Sequence, residues 1–265
     1  MKPIIIVPAA GLGTRLLPAT RSLPKELLPV GRRTALDWVG AEAVAAGLER
    51  MIIVTSPGKA ELFRSHIEAA PSHHAADQEV SDTWRDLTVT FAIQERPAGL
   101  GDAVRVGRDA ARSVGHDGPL AVMLPDELHD RGKTLVDLLA AYRAKSGSYI
   151  AAFNALRETI GAYGALDVVE SHDRHLPLRV LDLIEKPAAG EEPSNLAVAG
   201  RYLLDETVLA ALDEIEPEGG ELRLSDAIAL AALRGAPVYA KRITGTRFDV
   251  GTWDGWEQAV AALKQ

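Results

Sequence analysis

The fold of this 265-residue chain is best indicated by one stretch near its start, Ile4-Ile5-Ile6-Val7-Pro8-Ala9-Ala10-Gly11-Leu12-Gly13-Thr14-Arg15. Its first four residues form a short apolar run that Pro8 and the glycines interrupt, which predicts a buried strand and not a signal peptide. In open α/β sheets, ligands bind beyond the carboxyl ends of the strands. The stretch therefore predicts an α/β fold with a ligand-binding loop directly after the first strand.

The rest of the chain extends this pattern. Strand-like and helix-like runs alternate as far as residue 153, and this order predicts a largely parallel sheet with helices on both faces. The predicted strands lie at 4–7, 51–55, 88–94, 120–124, 149–153, 165–169, 179–184, 197–203 and 238–242. The predicted helices lie at 34–46, 59–69, 100–114, 134–145, 205–214, 225–234 and 252–264. Their predicted N-caps include Thr34, Asp205, Ser225 and Thr252. Residues 71–86 show no clear period and are predicted to form an irregular loop.

Composition and charge exclude several classes of protein. Apolar residues make up 47% of the chain and charged residues 25%, which is ordinary for a globular protein. The formal net charge of −8 argues against a nucleic-acid binder, although a few basic residues in one cleft can still hold small phosphorylated ligands. There is no cysteine and no apolar run of the roughly 20 residues that cross a bilayer. We therefore expect a cytoplasmic protein with neither nucleic acid nor membrane as a partner.

The glycine loop carries the chemistry of a phosphate-binding site. Gly11 and Gly13 have no side chains, so backbone N–H groups can approach a phosphate closely. Arg15 and Lys25 add positive charge for a polyphosphate. A dinucleotide-binding fingerprint needs a third glycine where this chain has Leu16, and the Gly-Lys-Ser/Thr run of a P-loop is absent. The loop is thus predicted to bind phosphate in another way, with a plain turn between strand and helix as the alternative interpretation.

Several motifs in a fixed order resemble those of the sugar-nucleotide pyrophosphorylases, a nucleotidyltransferase family, and most of all the bacterial UTP–glucose-1-phosphate uridylyltransferases. They are the glycine loop with Pro24-Lys25-Glu26, Glu42-Ala43-Val44-Ala45-Ala46-Gly47, Gly99-Leu100-Gly101, Leu124-Pro125-Asp126, Glu185-Lys186-Pro187, Pro193-Ser194-Asn195-Leu196-Ala197, Gly200-Arg201-Tyr202, Leu224-Ser225-Asp226-Ala227-Ile228 and Asp249-Val250-Gly251. The resemblance implies a Rossmann-like (GT-A-like) nucleotidyltransferase fold in a single domain over 1–265. It also implies a nucleotide-binding half at about 1–130 and a smaller sugar-phosphate-binding half at about 131–265.

The resemblance also implies a set of site residues. Those expected to act in catalysis are Arg15, Lys25, Asp126, Lys186 and Asp249, and the two aspartates are expected to hold Mg²⁺, which prefers carboxylate oxygens. Those expected to bind the nucleotide are Ala10, Gly11, Gly13, Thr14, Glu26, Gln94 and Gly99. Those expected to bind the sugar phosphate are Gly164, Glu185, Lys186 and Asn195, and Tyr163 is expected to approach the sugar with Gly164.

The implied activity is transfer of a nucleotidyl group to a sugar 1-phosphate, with a nucleoside triphosphate and a sugar 1-phosphate as partners. UTP and glucose 1-phosphate are the expected pair. One alternative is the same reaction with dTTP, GTP or ATP and a different cyclic 1-phosphate, because Asp249-Val250-Gly251-Thr252 is similar to the form found in the thymidylyl- and guanylyl-transferring relatives. Another is a non-catalytic regulator that binds nucleotide sugar. A homo-oligomer, either a dimer or a tetramer, is one possible state, and the sequence does not decide the oligomeric state.

Overall fold

The computed structural model describes residues 1–73, 78–130, 132–171, 173 and 175–263. Its strands are β1 (Ile4–Pro8), β2 (Pro29–Val30), β3 (Arg33–Thr34), β4 (Arg50–Thr55), β5 (Thr88–Ile93), β6 (Leu120–Met123), β7 (Glu127–His129), β8 (Ser148–Asn154), β9 (Gly164–Val169), β10 (Leu178–Glu185), β11 (Leu196–Leu204), β12 (Val238–Arg242) and β13 (Arg247–Asp249). Its α-helices are α1 (Ala35–Ala45), α2 (Ala60–His73), α3 (Gln78–Asp86), α4 (Leu100–Ser113), α5 (Thr134–Ala144), α6 (Glu206–Ala211), α7 (Leu224–Leu233) and α8 (Trp253–Ala262).

Nine of the strands in this described part of the chain form one sheet, in the order β5-β4-β1-β6-β11-β8-β12-β10-β9. The strands from β5 to β6 are parallel neighbours, as are β8 and β12, whereas β10 and β11 run antiparallel to their neighbours. Seven of the nine strands therefore point the same way, and the predicted α/β fold with a central, mainly parallel sheet is confirmed.

The second half of the sheet closes on itself. Besides its pairing with β10, β9 also pairs with β11, with Ala165 opposite Ala197. The strands β11, β8, β12, β10 and β9 thus form a ring. This closure brings the beginning of β9 and the end of β10 close to the carboxyl ends of β6 and β8.

Strand β1 lies inside the sheet and is buried on both faces. Ile4 and Ile6 pack into one apolar core, and Ile5 and Val7 pack into the other, on the opposite face. A continuous apolar run is the pattern that such a strand needs, because both sets of alternating side chains are removed from water. The glycine loop therefore begins from a rigid base.

The predicted helix starts are right in three cases of four. Thr34 forms a capping box with Asp37, and Asp205 and Thr252 accept hydrogen bonds from the first turns of α6 and α8. Ser225 is wrong as an N-cap, because α7 already begins at Leu224 and Ser225 is buried within its first turn. Its Oγ has no hydrogen-bond partner in the part of the chain that the structure describes. No helix in the described ranges is long and apolar enough to cross a bilayer.

The prediction of an irregular loop over 71–86 is wrong where it can be compared. Helix α2 continues to His73 and α3 covers Gln78–Asp86, while residues 74–77 lie outside the described ranges. In α3, Val80 and Trp84 are buried one turn apart. These two are the only large apolar residues among the nine of the helix, which is too few to show a period in the sequence. Its burial depends on distant partners, including the carboxylate of Asp37, which accepts a hydrogen bond of 2.7 Å from Trp84 Nε1.

Candidate active site

The glycine loop leaves the carboxyl end of β1 and is held from two sides. Lys59, which precedes α2, donates a hydrogen bond from Nζ to the Gly11 carbonyl. Thr20 Oγ1 donates to the Gly13 carbonyl at 2.7 Å, and Gly13 has a φ of 67°, which favours glycine. Among the described residues, no atom lies within 4 Å of the position of a Cβ on Gly11. The loop is therefore fixed at its ends while its centre faces open space, next to the buried Ala10 and the exposed Thr14.

Lys25 and Asp126 form an ion pair beside this loop. Lys25 lies on a short 3₁₀ turn, and its Nζ donates a hydrogen bond to Asp126 Oδ2. Asp126 follows β6, as predicted. Burial alone would raise the pKa of Asp126, but the charge and hydrogen bond of Lys25, together with the charge of Arg15, outweigh it and hold that pKa below its usual value. The carboxylate is therefore ionised at neutral pH.

Asp249 is brought to the same place by backbone pairing. The prediction placed Asp249 on a turn, whereas it is the last residue of β13, which pairs with β7 so that Asp249 lies opposite Glu127. The Val250 N–H extends the pairing by donating to the Asp126 carbonyl at 2.8 Å. A Cβ on Gly251 would lie 3.0 Å from Asp249 Oδ1, 3.2 Å from Asp126 Oδ2 and 3.1 Å from an Arg15 guanidinium nitrogen. Two carboxylates and one guanidinium thus converge on Gly251.

A fully buried arginine holds the segment that carries Asp126. Arg201 is 0% exposed, and its guanidinium donates to the carbonyls of Leu124, Glu127 and Gly200 at 2.8–3.1 Å. Its remaining N–H groups donate to Glu42 Oε2 at 2.8 and 3.0 Å. Both ends of the turn around Asp126 are therefore fixed to strand β11. The sequence offered a signal for this role, since Arg201 is a charged residue inside an otherwise apolar strand.

Glu26 lies next to Lys25 and is 1% exposed. Neither of its carboxylate oxygens has a hydrogen-bond partner among the described residues. Burial raises the pKa of Glu26 to about 7, although the charges of Lys25 and Lys59 act in the opposite direction. A buried carboxylate without a partner is costly, so this group is suited to accept hydrogen bonds from a ligand.

Gln94 and Gly99 are already engaged within the chain. The Gln94 amide nitrogen donates to the Gly99 carbonyl at 3.2 Å and to Asp102 Oδ2 at 2.8 Å. Both partners are acceptors, so the amide oxygen is the atom that remains for a ligand. Gly99 has a φ of 94°, and a Cβ there would lie 2.5 Å from the Leu222 carbonyl. The glycine is thus required by the fold itself.

The residues predicted to bind a sugar phosphate gather at the closed half of the sheet. Glu185 ends β10 opposite Gly164, the first residue of β9, and its Oε2 would lie 3.4 Å from a Cβ on that glycine. Lys186 follows with a φ of 46°, and its N–H donates to the Tyr163 carbonyl at 3.0 Å. Asn195 is exposed beside the start of β11. These side chains form a second group of polar residues, more open than the first.

Comparison with known proteins finds relatives that match nearly the whole chain. The model of the nucleotidyl transferase family matches residues 2–265. The UTP–glucose-1-phosphate uridylyltransferase of Mycoplasma pneumoniae is 33% identical, over 96% of this chain and 89% of the relative. A crystal structure of UDP-glucose pyrophosphorylase complexed with UDP-glucose superposes with a TM-score of 0.87 at 30% identity, over 99% of this chain and 98% of that one. The UTP-bound enzyme of Acinetobacter baumannii superposes with a TM-score of 0.83 at 31% identity, over 99% and 93% of the two chains.

Proposed function

The chain belongs to the nucleotidyl transferase family, and from that premise we propose that it transfers the uridylyl group of UTP to glucose 1-phosphate, giving UDP-glucose and pyrophosphate. The relatives named UTP–glucose-1-phosphate uridylyltransferase match this chain along most of their own length. The observation that carries the proposal is the group of Arg15, Lys25, Asp126 and Asp249 beside the glycine loop. Two cations and two carboxylates at one place suit a polyphosphate that binds together with a divalent cation.

The reaction needs no nucleophile from the protein. An oxygen of the sugar phosphate attacks the α-phosphorus of UTP, and pyrophosphate leaves from the opposite side with the electrons of the broken P–O bond. The attacking oxygen is already ionised, so no proton has to be removed. Both substrates are anions that repel each other, so the protein contributes by positioning them and by neutralising their charge.

Asp126 and Asp249 are the residues that would hold Mg²⁺. The donor set fits this ion, which takes one or two carboxylates and completes its coordination with phosphate oxygens and water. Among the described residues there is no group of three or more histidine, aspartate or glutamate side chains that could hold a metal ion, so a site made wholly of protein ligands is not offered there. When bound, Mg²⁺ supplies positive charge to the phosphate oxygens. Lys25 keeps the Asp126 carboxylate ionised and ready for this role.

The nucleotide is assigned to the glycine loop. Backbone groups of Ala10, Gly11, Gly13 and Thr14 face the triphosphate, and Arg15 and Lys25 supply charge. The unpartnered oxygens of Glu26 accept hydrogen bonds from the ribose hydroxyls. The amide oxygen of Gln94 accepts from the base, which favours a base with a ring N–H donor, such as uracil, over adenine.

The sugar phosphate is assigned to the second group of residues. Lys186 pairs with its phosphate, and Glu185 accepts hydrogen bonds from ring hydroxyls beside Gly164 and Asn195. Support comes from the closure of the sheet, which brings Glu185 and Gly164 near the carboxyl ends of β6 and β8. On this assignment the nucleotide occupies the half at about 1–130 and the sugar phosphate the half at about 131–265.

A matrix of substrates tests the proposal. Purified protein in Mg²⁺ is mixed with UTP, dTTP, GTP or ATP and with glucose 1-phosphate or another cyclic 1-phosphate, and pyrophosphate release is measured. We expect the highest kcat/KM for UTP with glucose 1-phosphate. A higher value for another pair would replace the substrates and keep the reaction. Absence of release with every pair would contradict the proposal and favour a regulator that only binds nucleotide sugar.

A further inference from the structure

Arg247 lies between the two groups of site residues, and sequence motifs had given it no role. Its guanidinium carbon is 4.5 Å from the ring centroid of Phe153 and 4.6 Å from that of Tyr163. These two rings meet edge to face, with their centroids 5.3 Å apart. Phe153 is near the end of β8, and Tyr163 directly precedes Gly164. The arginine is therefore packed against the segments that lead into the sugar-phosphate side.

The same guanidinium contacts a carboxylate next to Asp126. Its Nη2 donates a hydrogen bond to Oε1 of Glu127, the residue after Asp126, and its Nε is in ion-pair contact with Glu127 Oε2 without hydrogen-bond geometry. Arg247 itself is two residues before Asp249 on β13, and β13 pairs with β7, which begins at Glu127. The Arg247 side chain is only 8% exposed, so few of its contacts are weakened by water. One side chain thus contacts Glu127, which follows Asp126 and lies opposite Asp249, and Tyr163, which precedes Gly164.

An arginine is well suited to this position, whereas a lysine is not. The planar guanidinium stacks on aromatic faces and binds a carboxylate with two nitrogens at once, so its contacts fix an orientation as well as a charge. A lysine ammonium is a point charge on a flexible stem and fixes neither. The chemistry of the side chain therefore matches a role in setting geometry.

From these contacts we infer that Arg247 is a positioning residue, which sets the distance between the Asp126–Asp249 pair and the sugar-phosphate side. The inference rests on the proposed function. Arg247 acts through Glu127, Tyr163 and its own strand β13, which carries Asp249, and touches neither substrate. Its loss leaves each substrate its own binding residues but displaces one group relative to the other, and a displacement of about 1 Å is enough to cost roughly a hundredfold in rate.

The test is a comparison of Arg247→Lys and Arg247→Met with the wild type. We expect kcat to fall by about a hundredfold in Arg247→Met and by about tenfold in Arg247→Lys, with KM for UTP and for glucose 1-phosphate within about threefold. A readout without turnover accompanies it. UDP-glucose, which spans both sides, should bind at least tenfold more weakly by calorimetry, while UTP alone binds as in the wild type.

Arg179→Met is the matched control. Arg179 also lies over an aromatic ring, that of Tyr239 at 5.7 Å, and donates to a backbone carbonyl. It lies near the start of β10, whereas Glu185 is at the end of that strand. Its kcat and KM values should stay within about twofold of the wild type. Phe153→Leu removes one ring and keeps the ion pair, so it should lower kcat less than Arg247→Met does and add little to it in the double variant.

Two outcomes would overturn the inference. A kcat within twofold of the wild type in Arg247→Met would do so, and so would a raised KM for glucose 1-phosphate with unchanged kcat, which would make Arg247 a direct ligand of the sugar phosphate. If Arg247→Met does not fold, Arg247→Lys and Phe153→Leu decide by the same criteria. Failure of the proposed function is distinguished from these results, because the wild type itself would then release no pyrophosphate from any pair of substrates or would prefer another pair.

Discussion

The two groups of charged residues differ in how they are prepared for their ligands. Around the glycine loop, Lys25 and Asp126 are paired and largely buried, with side-chain exposures of 17% and 19%. At the end of β10, the Lys186 side chain is 67% exposed, and its nearest carboxylate, that of Glu185, is 4.0 Å away. Charges act more strongly where water is excluded. On the proposed function, the first group would stabilise charge and the second would admit and select the sugar phosphate.

The backbone shows the same difference in another form. Asp126 is held by hydrogen bonds on both sides of its turn, through Arg201 and the Val250 N–H. Lys186 instead adopts a φ of 46°, which is uncommon for a residue other than glycine and costs on the order of 1–3 kcal/mol. Such a conformation persists when neighbouring contacts impose it, here the bond from the Lys186 N–H to the Tyr163 carbonyl. The Lys186 backbone is therefore fixed in position, while its side chain remains largely exposed to solvent.

The largest effect is expected from the carboxylate pair. Asp126→Asn or Asp249→Asn replaces an ionised ligand by a neutral amide, and we expect kcat to fall by about a thousandfold or more in Mg²⁺. Asp82→Asn, at a half-exposed position of α3, is the control and should leave turnover unchanged. Steady-state rates of pyrophosphate release decide the matter once circular dichroism has established that each variant is folded. Near-normal turnover in either site variant would contradict the assignment of Asp126 and Asp249 as metal ligands. It would also contradict the proposal that the group beside the glycine loop stabilises charge.

Much of the fold could be predicted from the sequence, because its signals are local. The apolar run of β1, its glycine loop and the capping box at Thr34 each depend on residues a few positions apart. The motifs also placed Asp126 correctly after a strand. These features depend on backbone propensity and on side chains within reach of their own turn.

The parts that escaped prediction depend on distant partners. Arg201 contacts Glu42 across 159 positions, and β13 and β7 have three residues each, too few to show a period. Helix α3 packs on both α1 and α2, and the contact with α1 joins segments that are distant in sequence. Ser225 has the residue type of a cap but a buried position, which only the packing of α7 reveals. The candidate residues could therefore be named from the sequence, whereas the contacts that hold them in place could not.

A smaller effect is expected from Glu185, and it should fall on selectivity. Glu185→Ala removes an acceptor whose contact depends on where the sugar hydroxyls point. We expect the preference for glucose 1-phosphate over its epimers to fall by about tenfold, with kcat for glucose 1-phosphate reduced less than by the aspartate variants. Competition between epimeric sugar 1-phosphates in one reaction measures the ratio. An unchanged preference among epimers together with a lowered kcat would mean that Glu185 contributes to charge stabilisation and not to the selection of the sugar.

The smallest effect is a proton linked to Glu26. Its pKa of about 7 lies above the ordinary value of 4.5, so this group stabilises the free fold below pH 4.5, and the contribution is lost as the pH rises through about 7. Ribose hydroxyls that donate to the carboxylate favour its ionised form. Binding of UDP-glucose at pH 7 should therefore release about half a proton.

Calorimetry of UDP-glucose in buffers of different ionisation enthalpy measures this release, because the ligand itself has no group that titrates near pH 7. Glu26→Gln has no ionisable group at this position and should abolish the release. Equal release in the wild type and the variant would show that the carboxylate does not meet the nucleotide, and would leave its unpartnered oxygens without a ligand.

The central claim is that the two substrates are held by two separate groups of charges, and Lys25→Met and Lys186→Met test it together. For each variant, UTP binding is titrated by calorimetry and KM for glucose 1-phosphate is measured at saturating UTP, with Lys2→Met, an exposed lysine at the other end of β1, as the control. Lys25→Met should weaken UTP binding by about 2 kcal/mol, roughly thirtyfold, and leave KM for glucose 1-phosphate within a few fold of the wild type. Lys186→Met should raise KM for glucose 1-phosphate by at least about tenfold and leave UTP affinity within a few fold. Loss of UTP binding in Lys186→Met with normal glucose 1-phosphate kinetics would contradict the claim.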